Sequence, residues 1–451
     1  MNIIIIGCGE VGKTLAEQLN TEDNAITVID TRGDAVEELT SRVDVMGVTG
    51  NGATISVQDE AGVHHADLLI AVTESDELNL LCCAVARRSA RCKTIARVRN
   101  PEYSAEAAYL KKELGIEMLI NPEQAAATEI ARILRFPSAI EIDTFSNGRV
   151  ELLKFRLPED SSMVGMSVKD VAMKLKCDIL FCTVERGDQV FIAKGDLVFV
   201  AKDVISIIAA PRNAAEFFKK IGYKIRSVKD VMIAGSGSMT HYLCGLLRRD
   251  NVSVTVIEPD LSNCEELSVK YPQVRVLEGD PTDKSLLLEA GIAQTGAVVA
   301  LTEYDEENIL LCLFAKSVFD GKTITKINRI EFDEVISHLT LDSTIYPKHI
   351  TAEIITRYVR ATQNSMGSNM ETLYHVIKDQ VEAAEFVVRE SSPIIHTPLS
   401  QLKIKQDVLI GAIIHEGQVL IPRGNDVICP GDRVIVVSKL LTLHDLTDIL
   451  K

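Results

Sequence analysis

Three glycines and one carboxylate carry the clearest chemistry in this chain. Gly7-Cys8-Gly9-Glu10-Val11-Gly12 follows the apolar run "NIIII" and opens a helical pattern, and Asp30 ends the next β-branched run. The order strand, G-x-G-x-x-G, helix, strand, acid is the arrangement that a dinucleotide site needs. Gly7 permits a tight turn, Gly9 lets the backbone approach a pyrophosphate, and Gly12 lets the helix lie close to the sheet. The first N–H groups of the helix, unpaired and at the positive end of its dipole, suit a phosphate. Asp30 would accept hydrogen bonds from an adenosine ribose and repel a 2′-phosphate. That favours NAD(H) or another adenine nucleotide over NADP, an exclusion that nearby Arg32 weakens slightly.

The same signature occurs twice. "IIIIGCGEVG" (3–12) recurs as "VMIAGSGSMT" (231–240), "ITVID" as "VTVIE", "GVTGNG" as "VLEGDP", "IARVRNPEY" as "ITKINRIEF", and "NPEQ" (121–124) more weakly as "YPKH" (346–349). The second loop reads Gly235-Ser236-Gly237-Ser238-Met239-Thr240, and Glu258 stands for Asp30. A side chain at Thr240 hinders close packing of helix on strand but does not block a phosphate. A later stretch, 178–208, aligns without a gap on 407–437, pairing Gln189 with Gln418, Gly195 with Gly424 and Asp203 with Asp432. An internal repeat of this length means a duplicated architecture.

The elements that must position the loops follow from hydrophobic period. Short β-branched runs at 2–6, 26–30, 68–72 and 94–98 read as buried parallel strands, with helical patterns at 11–19, 35–42 and 78–88 between them. This predicts an α/β fold: two doubly wound Rossmann-like nucleotide-binding domains, each followed by a small β-rich α+β domain whose strands are broken by Gly-Asp turns. The expected order is 1–137, 138–226, 227–364 and 365–451. Joints are expected at Pro137-Ser138, over 211–228 with a helix at 214–221, and over Ser365–Asn369.

The stretch "AVTESDELNLL" (71–81) recurs as "ALTEYDEENILL" (300–311). Thr73 and Asp76 are spaced like a capping box, as are Thr302 and Asp305, and the acidic residues suit a helix N-terminus. The fourth strand also lies across the switch point from the first, so its end faces the same crevice. Thr73 and Glu74 are therefore candidates to touch the second half of a nucleotide. Arg97 and, in the second copy, Lys326 could reach a phosphate.

Composition removes other classes. A length of 451 residues requires several domains, and 46% hydrophobic with 25% charged residues is a globular composition. A net charge of −16 disfavours nonspecific nucleic-acid binding but not a small nucleotide held by loop amides. No apolar stretch reaches the roughly 18 residues that span a bilayer. The ten cysteines show no C-x-x-C or paired Cys/His spacing, which reads as reduced thiols, mostly buried, in a cytosolic protein. No metal motif is expected, and the β-rich units are expected to lack a Cys/His/carboxylate cluster. A dehydrogenase needs a proton-transfer group beside its nicotinamide and a substrate domain. His64-His65 reads as surface, and no substrate domain interrupts the nucleotide-binding halves. Two diverged sites in one chain suit a sensor more than a catalyst.

The quoted segments together, in tandem, resemble the regulator-of-K⁺-conductance (RCK) family, which includes the peripheral subunits of Trk potassium-uptake systems. The resemblance spans essentially the whole chain. It implies a non-enzymatic regulator that binds NAD(H), with ATP and ADP possible at the same sites. It implies a homotetrameric ring, cytoplasmic and peripheral at the inner face of the membrane, that gates a membrane-embedded potassium-transporting subunit. The positions it implies are Gly7, Cys8, Gly9, Glu10, Val11, Asp30, Asn51, Thr73, Glu74 and Arg97. In the second copy they are Gly235, Ser236, Gly237, Ser238, Met239, Glu258, Asp280, Thr302, Glu303 and Lys326. The alternatives are an NAD-dependent oxidoreductase and a nucleotide-binding regulator of another ion transporter or antiporter.

Overall fold

In the computed structural model the first half builds a six-stranded parallel sheet. Its strands are β1 (Asn2–Ile6), β2 (Ala25–Asp30), β3 (Met46–Thr49), β4 (Leu68–Ala71), β5 (Lys93–Arg97) and β6 (Met118–Ile120), in the order β3-β2-β1-β4-β5-β6. Ile3 to Ile6 are buried because β1 is central and covered on both faces. Ile3 pairs with Ile26 of β2 on one side and Leu68 of β4 on the other. The reversal of strand order between β1 and β4 opens the crevice at their C-terminal ends. The second half repeats this sheet, with Asp230–Ala234 central between Ser253–Glu258 and Ala297–Ala300.

The structure describes residues 1–451 except 21–23, 91, 137–138, 188, 222–227, 330–334, 337–338, 366–369, 378–379, 440–442 and 444. The expected joints at 137–138 and 366–369, and most of the end of the joint over 211–228, lie outside the described residues. The helix expected inside that joint is present as Pro211–Lys220, with Pro at its first turn.

The chain divides into two units, each assembled from two separate stretches. The first (1–134 and 228–356) holds both parallel sheets. Within it the copies exchange helices. The helix Pro122–Arg135, which ends the first nucleotide-binding half, buries Ala126, Ala127, Ile130 and Leu134 against Val231, Leu243, Leu247 and Val254 of the second half. In return Thr356, on the last helix of the second half (Pro347–Ser365), donates to Gln18 on the first helix of the first half at 3.1 Å. Asn121 caps the crossing helix by accepting from Gln124 N and donates to the Tyr242 hydroxyl of the other copy.

The second unit (135–227 and 357–451) holds two five-stranded sheets with antiparallel pairing. Phe145, Leu152 and Ile208 of one share a core with Ala383, Ala412 and Val437 of the other. A buried carboxylate, Glu385, accepts from the backbone N–H and hydroxyl of Ser146 across that core. One expectation is corrected here. The second β-rich domain does contain a Cys/His/carboxylate cluster: His415, Cys429 and Asp432. The first ends a strand and the other two precede its antiparallel neighbour, so pairing of the strands brings together residues whose spacing along the chain matches no ligand motif.

If the exchanged helix is part of the second copy's core, Ile130→Ala should destabilise the first unit by about 2–5 kcal/mol in urea unfolding, as for a cavity in a core. A loss below about 0.5 kcal/mol, a typical surface value, would show that the crossing helix is only resting on the sheet.

Candidate nucleotide-binding site

Gly7 adopts φ +108°, and an added Cβ would meet Thr73 N at 3.0 Å. Both the turn and the close approach of the β4 end therefore require glycine. A Cβ on Gly12 would lie 1.8 Å from the Gly7 carbonyl oxygen, so the first helix touches the loop directly. In the second copy the helix starts at Ser238, and buried Thr240 donates its hydroxyl to the Gly235 carbonyl at 2.7 Å. The side chain expected to hinder packing is accommodated by bonding to the carbonyl it would otherwise strike.

Asp30 is itself bonded to the backbone of its own loop. Its Oδ2 accepts from Cys8 N at 2.7 Å and its Oδ1 from Arg32 N at 2.9 Å. Glu258 repeats this with Ser236 N at 2.9 Å and Asp260 N at 3.0 Å. Each carboxylate thus holds its glycine loop in shape and keeps further lone pairs for hydroxyls. Burial, then the Asp30 charge, push the Cys8 thiol up to about 12, so it is no nucleophile.

The repeated segment is corrected. Thr73 does not cap the helix, which starts at Asp76 with Ser75 as its cap. Thr73 donates its N–H and its hydroxyl to Asn79 Oδ1 at 2.8 and 2.7 Å, while Asn79 Nδ2 donates to the carbonyls of Thr73 and Arg97. Asp76 accepts from Arg99 N and Asn100 N. In the second copy Asn308 does the same for Thr302 and Lys326, and Asp305 for Asn328 N and Arg329 N; Tyr304 holds the cap position without a side-chain bond. The expected box fails because these carboxylates are spent on the loop after the fifth strand. The motif ties two strand ends together.

Two clefts result. The first, of about 890 Å³, is lined by Gly7, Gly9, Glu10, Val11, Asp30, Asn51, Thr73, Glu74 and Arg97, every expected residue but the fully buried Cys8. The second, of about 600 Å³, is lined by all ten of its expected residues, Gly235 to Met239, Glu258, Asp280, Thr302, Glu303 and Lys326. Asn51 and Asp280 each close a turn, accepting from Ala53 N and Thr282 N. Both clefts fall within the 300–1,000 Å³ range of ligand pockets.

Sequence reasoning missed what the exchange brings in. Glu123 lines both clefts, as do Asn328 and Pro347, and Lys348 lines the first. Glu123 and Lys348 occupy matching places in the repeated "NPEQ" and "YPKH", but nothing local says that each helix start reaches across. Desolvation raises the Glu123 carboxyl against the pull of Arg97 and Arg99; desolvation, and then Arg99, lower Arg97. Burial likewise lowers Lys326, opposed by Asp305, Glu303 and Glu123. Among the described residues, Arg97 Nε and Glu123 Oε2 are buried without a hydrogen-bond partner. A junction of half-desolvated charges suits an anionic, multiply hydrogen-bonding ligand. Among the described residues, no histidine, cysteine or tyrosine lines the first cleft, and His64 pairs with Asp59 elsewhere.

The comparisons with known proteins match this architecture. The TrkA-N domain family model matches residues 3–122 and 231–347, and the TrkA-C domain model residues 152–222 and 383–451. A Trk system potassium uptake protein TrkA homolog of Archaeoglobus fulgidus is 32% identical over 451 residues, covering 100% of both chains. The chain belongs to the TrkA family. A TrkA homolog 1 of Methanosarcina mazei is 31% identical over 97% of each chain. Among solved structures, the GsuK channel bound to NAD superposes with a TM-score of 0.63 at 16% identity, over 97% of this chain and 77% of that one, and so shares this chain's fold.

Removing the strand-end clamp tests its weight. Asn79→Ala leaves part-buried groups of Thr73 and Arg97 unpaired and should cost about 1–3 kcal/mol in denaturant unfolding, less than full burial of each orphan would give. A neutral result would mean that water or a neighbour replaces the carboxamide.

Proposed function

We propose that this TrkA-family chain is a nucleotide-sensing regulatory subunit that gates a membrane potassium-uptake transporter, binding NAD(H), ATP or ADP in its two clefts. The observation that carries the reading is the pair of clefts. Each combines a glycine loop, a ribose-type carboxylate and a cation at the fifth strand end, and the two share Glu123, Asn328 and Pro347. The GsuK structure with NAD supports the choice of ligand, and the names of the relatives support the choice of system.

In this reading the positions Gly7 to Val11 and Gly235 to Met239 carry the phosphates, Asp30 and Glu258 the ribose, and Arg97 and Lys326 the distal charge. The subunits form a homotetramer on the cytoplasmic face of the membrane, docked on the transporter. No helix among the described residues is long and apolar enough to cross a membrane, and in this reading the pore is the partner's. A nucleotide shifts such an assembly only by binding its states unequally. Couplings of ~1–3 kcal/mol per site, summed over several sites, are enough to move a gate. Two clefts that share residues give such coupling a direct route.

Calorimetric titration of NADH, NAD⁺, ADP and ATP into the full chain tests this. Asp30→Ala should weaken binding at the first cleft, and Glu258→Ala at the second, each by at least about tenfold, the worth of charge-assisted bonds to a hydroxyl. Undiminished binding by Asp30→Ala would remove the first cleft from the reading. Lys348→Gln should weaken ATP at the first cleft by about three- to tenfold, because a part-exposed lysine is screened. An unchanged ATP affinity would show that the second copy's helix contributes shape but no charge.

A further inference from the structure

The internal repeat supplies its own control for the cluster in the second β-rich domain. In the first copy the buried carboxylate of Asp203 accepts from Arg186 Nε and Nη2, both at 2.8 Å, and from Val200 N at 2.8 Å. Asp432, at the matching place, accepts from Cys429 N at 2.8 Å in the same way. The arginine, however, has become His415, whose Nδ1 stands 2.6 Å from Asp432 Oδ1, and the valine has become Cys429. The fold's requirement is a carboxylate that ties the turn and a cation beside it. The first copy meets that requirement without a histidine or a thiol. Both positions around the second carboxylate hold side chains that bind soft and borderline metals.

We propose that His415, Cys429 and Asp432 form a binding site for a borderline divalent cation, Zn²⁺ being the best match. One ligand atom from each lies within 4.8 Å of the others. Zinc bonds of about 2.0–2.3 Å place tetrahedral ligands roughly 3.3–3.7 Å apart. The imidazole and carboxylate must part by roughly 0.7 Å, and the sulfur must close by at most about 1–1.5 Å, to reach that spacing. Both are within side-chain rotation, because the His415 side chain is 55% exposed and Cys429 is half-buried. Asp432 is the fixed member, buried and held by the Cys429 amide, which orients the carboxylate as outer-shell bonds do around metals. The exposed imidazole side leaves the fourth corner to water.

The chemistry balances simply. The thiol of Cys429 gives its proton to solvent, and the proton that His415 Nδ1 shares with Asp432 leaves to solvent or is carried instead on Nε2, so that imidazole and thiolate donate lone pairs alongside the carboxylate. The ion neutralises the buried carboxylate as Arg186 does in the first copy, and it ties the turn before Arg433–Ser438 to the end of Val408–His415. Eight of the ten cysteines are buried, and of the half-buried pair only Cys429 has such neighbours among the described residues.

The test uses the full chain stripped with a chelator and titrated with Zn²⁺ against a chromophoric competitor. Wild type should take up one equivalent at micromolar free metal. Cys429→Ser should weaken uptake by at least about tenfold, the range seen on disturbing metal sites. Co²⁺ substitution should give a thiolate-to-metal charge-transfer band that Cys429→Ser abolishes. His415→Arg restores the first copy's ion pair, so it should fold and yet lose the metal. The double change Arg186→His with Val200→Cys should add a second equivalent. No uptake by wild type at micromolar zinc overturns the site, as does full zinc affinity with an intact cobalt band in Cys429→Ser.

Discussion

The apolar stripe of the helix Pro122–Arg135 is buried in the sheet layer of the other copy, and the arrangement of both clefts depends on that burial. Hydrophobic burial is strong but non-directional, so it fixes where the helix lies rather than how it is turned. Directional bonds settle the rest: Asn121 caps the helix, bonds Arg99 O on its own side and Tyr242 on the other. With the helix so placed, its first turn carries Glu123 to the junction of two clefts. The exchanged partner helix brings Pro347 to both clefts and Lys348 to the first.

The two copies show how one backbone requirement can be met by different side chains. The glycine loop must be held open, and either Asp30 or Glu258 does this from the next strand end. The first helix must start close to the loop. Gly12 allows contact with the carbonyl, and Thr240 replaces contact by a hydrogen bond. The β-rich turn needs a carboxylate, and Asp203 and Asp432 supply it with different neighbours. In each case the buried partner of the backbone stays a carboxylate or a small group, because an unpaired buried amide is costly. The side chains facing outward from that bond are those that differ, and there the copies acquire separate chemistry.

Much of this was legible in the residues. The β-branched runs gave the strands of the parallel sheets, because a strand covered on both faces must be apolar throughout. Gly7-x-Gly9 and Asp30 gave the crevice, because loop, helix start and next strand end are adjacent in any doubly wound sheet. The role of the repeated Thr-Glu segment was harder. A threonine three residues before an aspartate looks like a cap, and only the approach of the fifth strand's loop shows that Asp76 and Asn79 are engaged there.

The sequence by itself determined the duplication, the sheet class and the residues of each loop, since all of these rest on short-range pattern and spacing. Tertiary structure alone decided which copy's helix closes which cleft, and that His415 meets Cys429 and Asp432. Those are contacts between segments distant along the chain. They are chosen by which apolar faces bury each other and by the register of antiparallel strands, and neither quantity is encoded in any one stretch of residues.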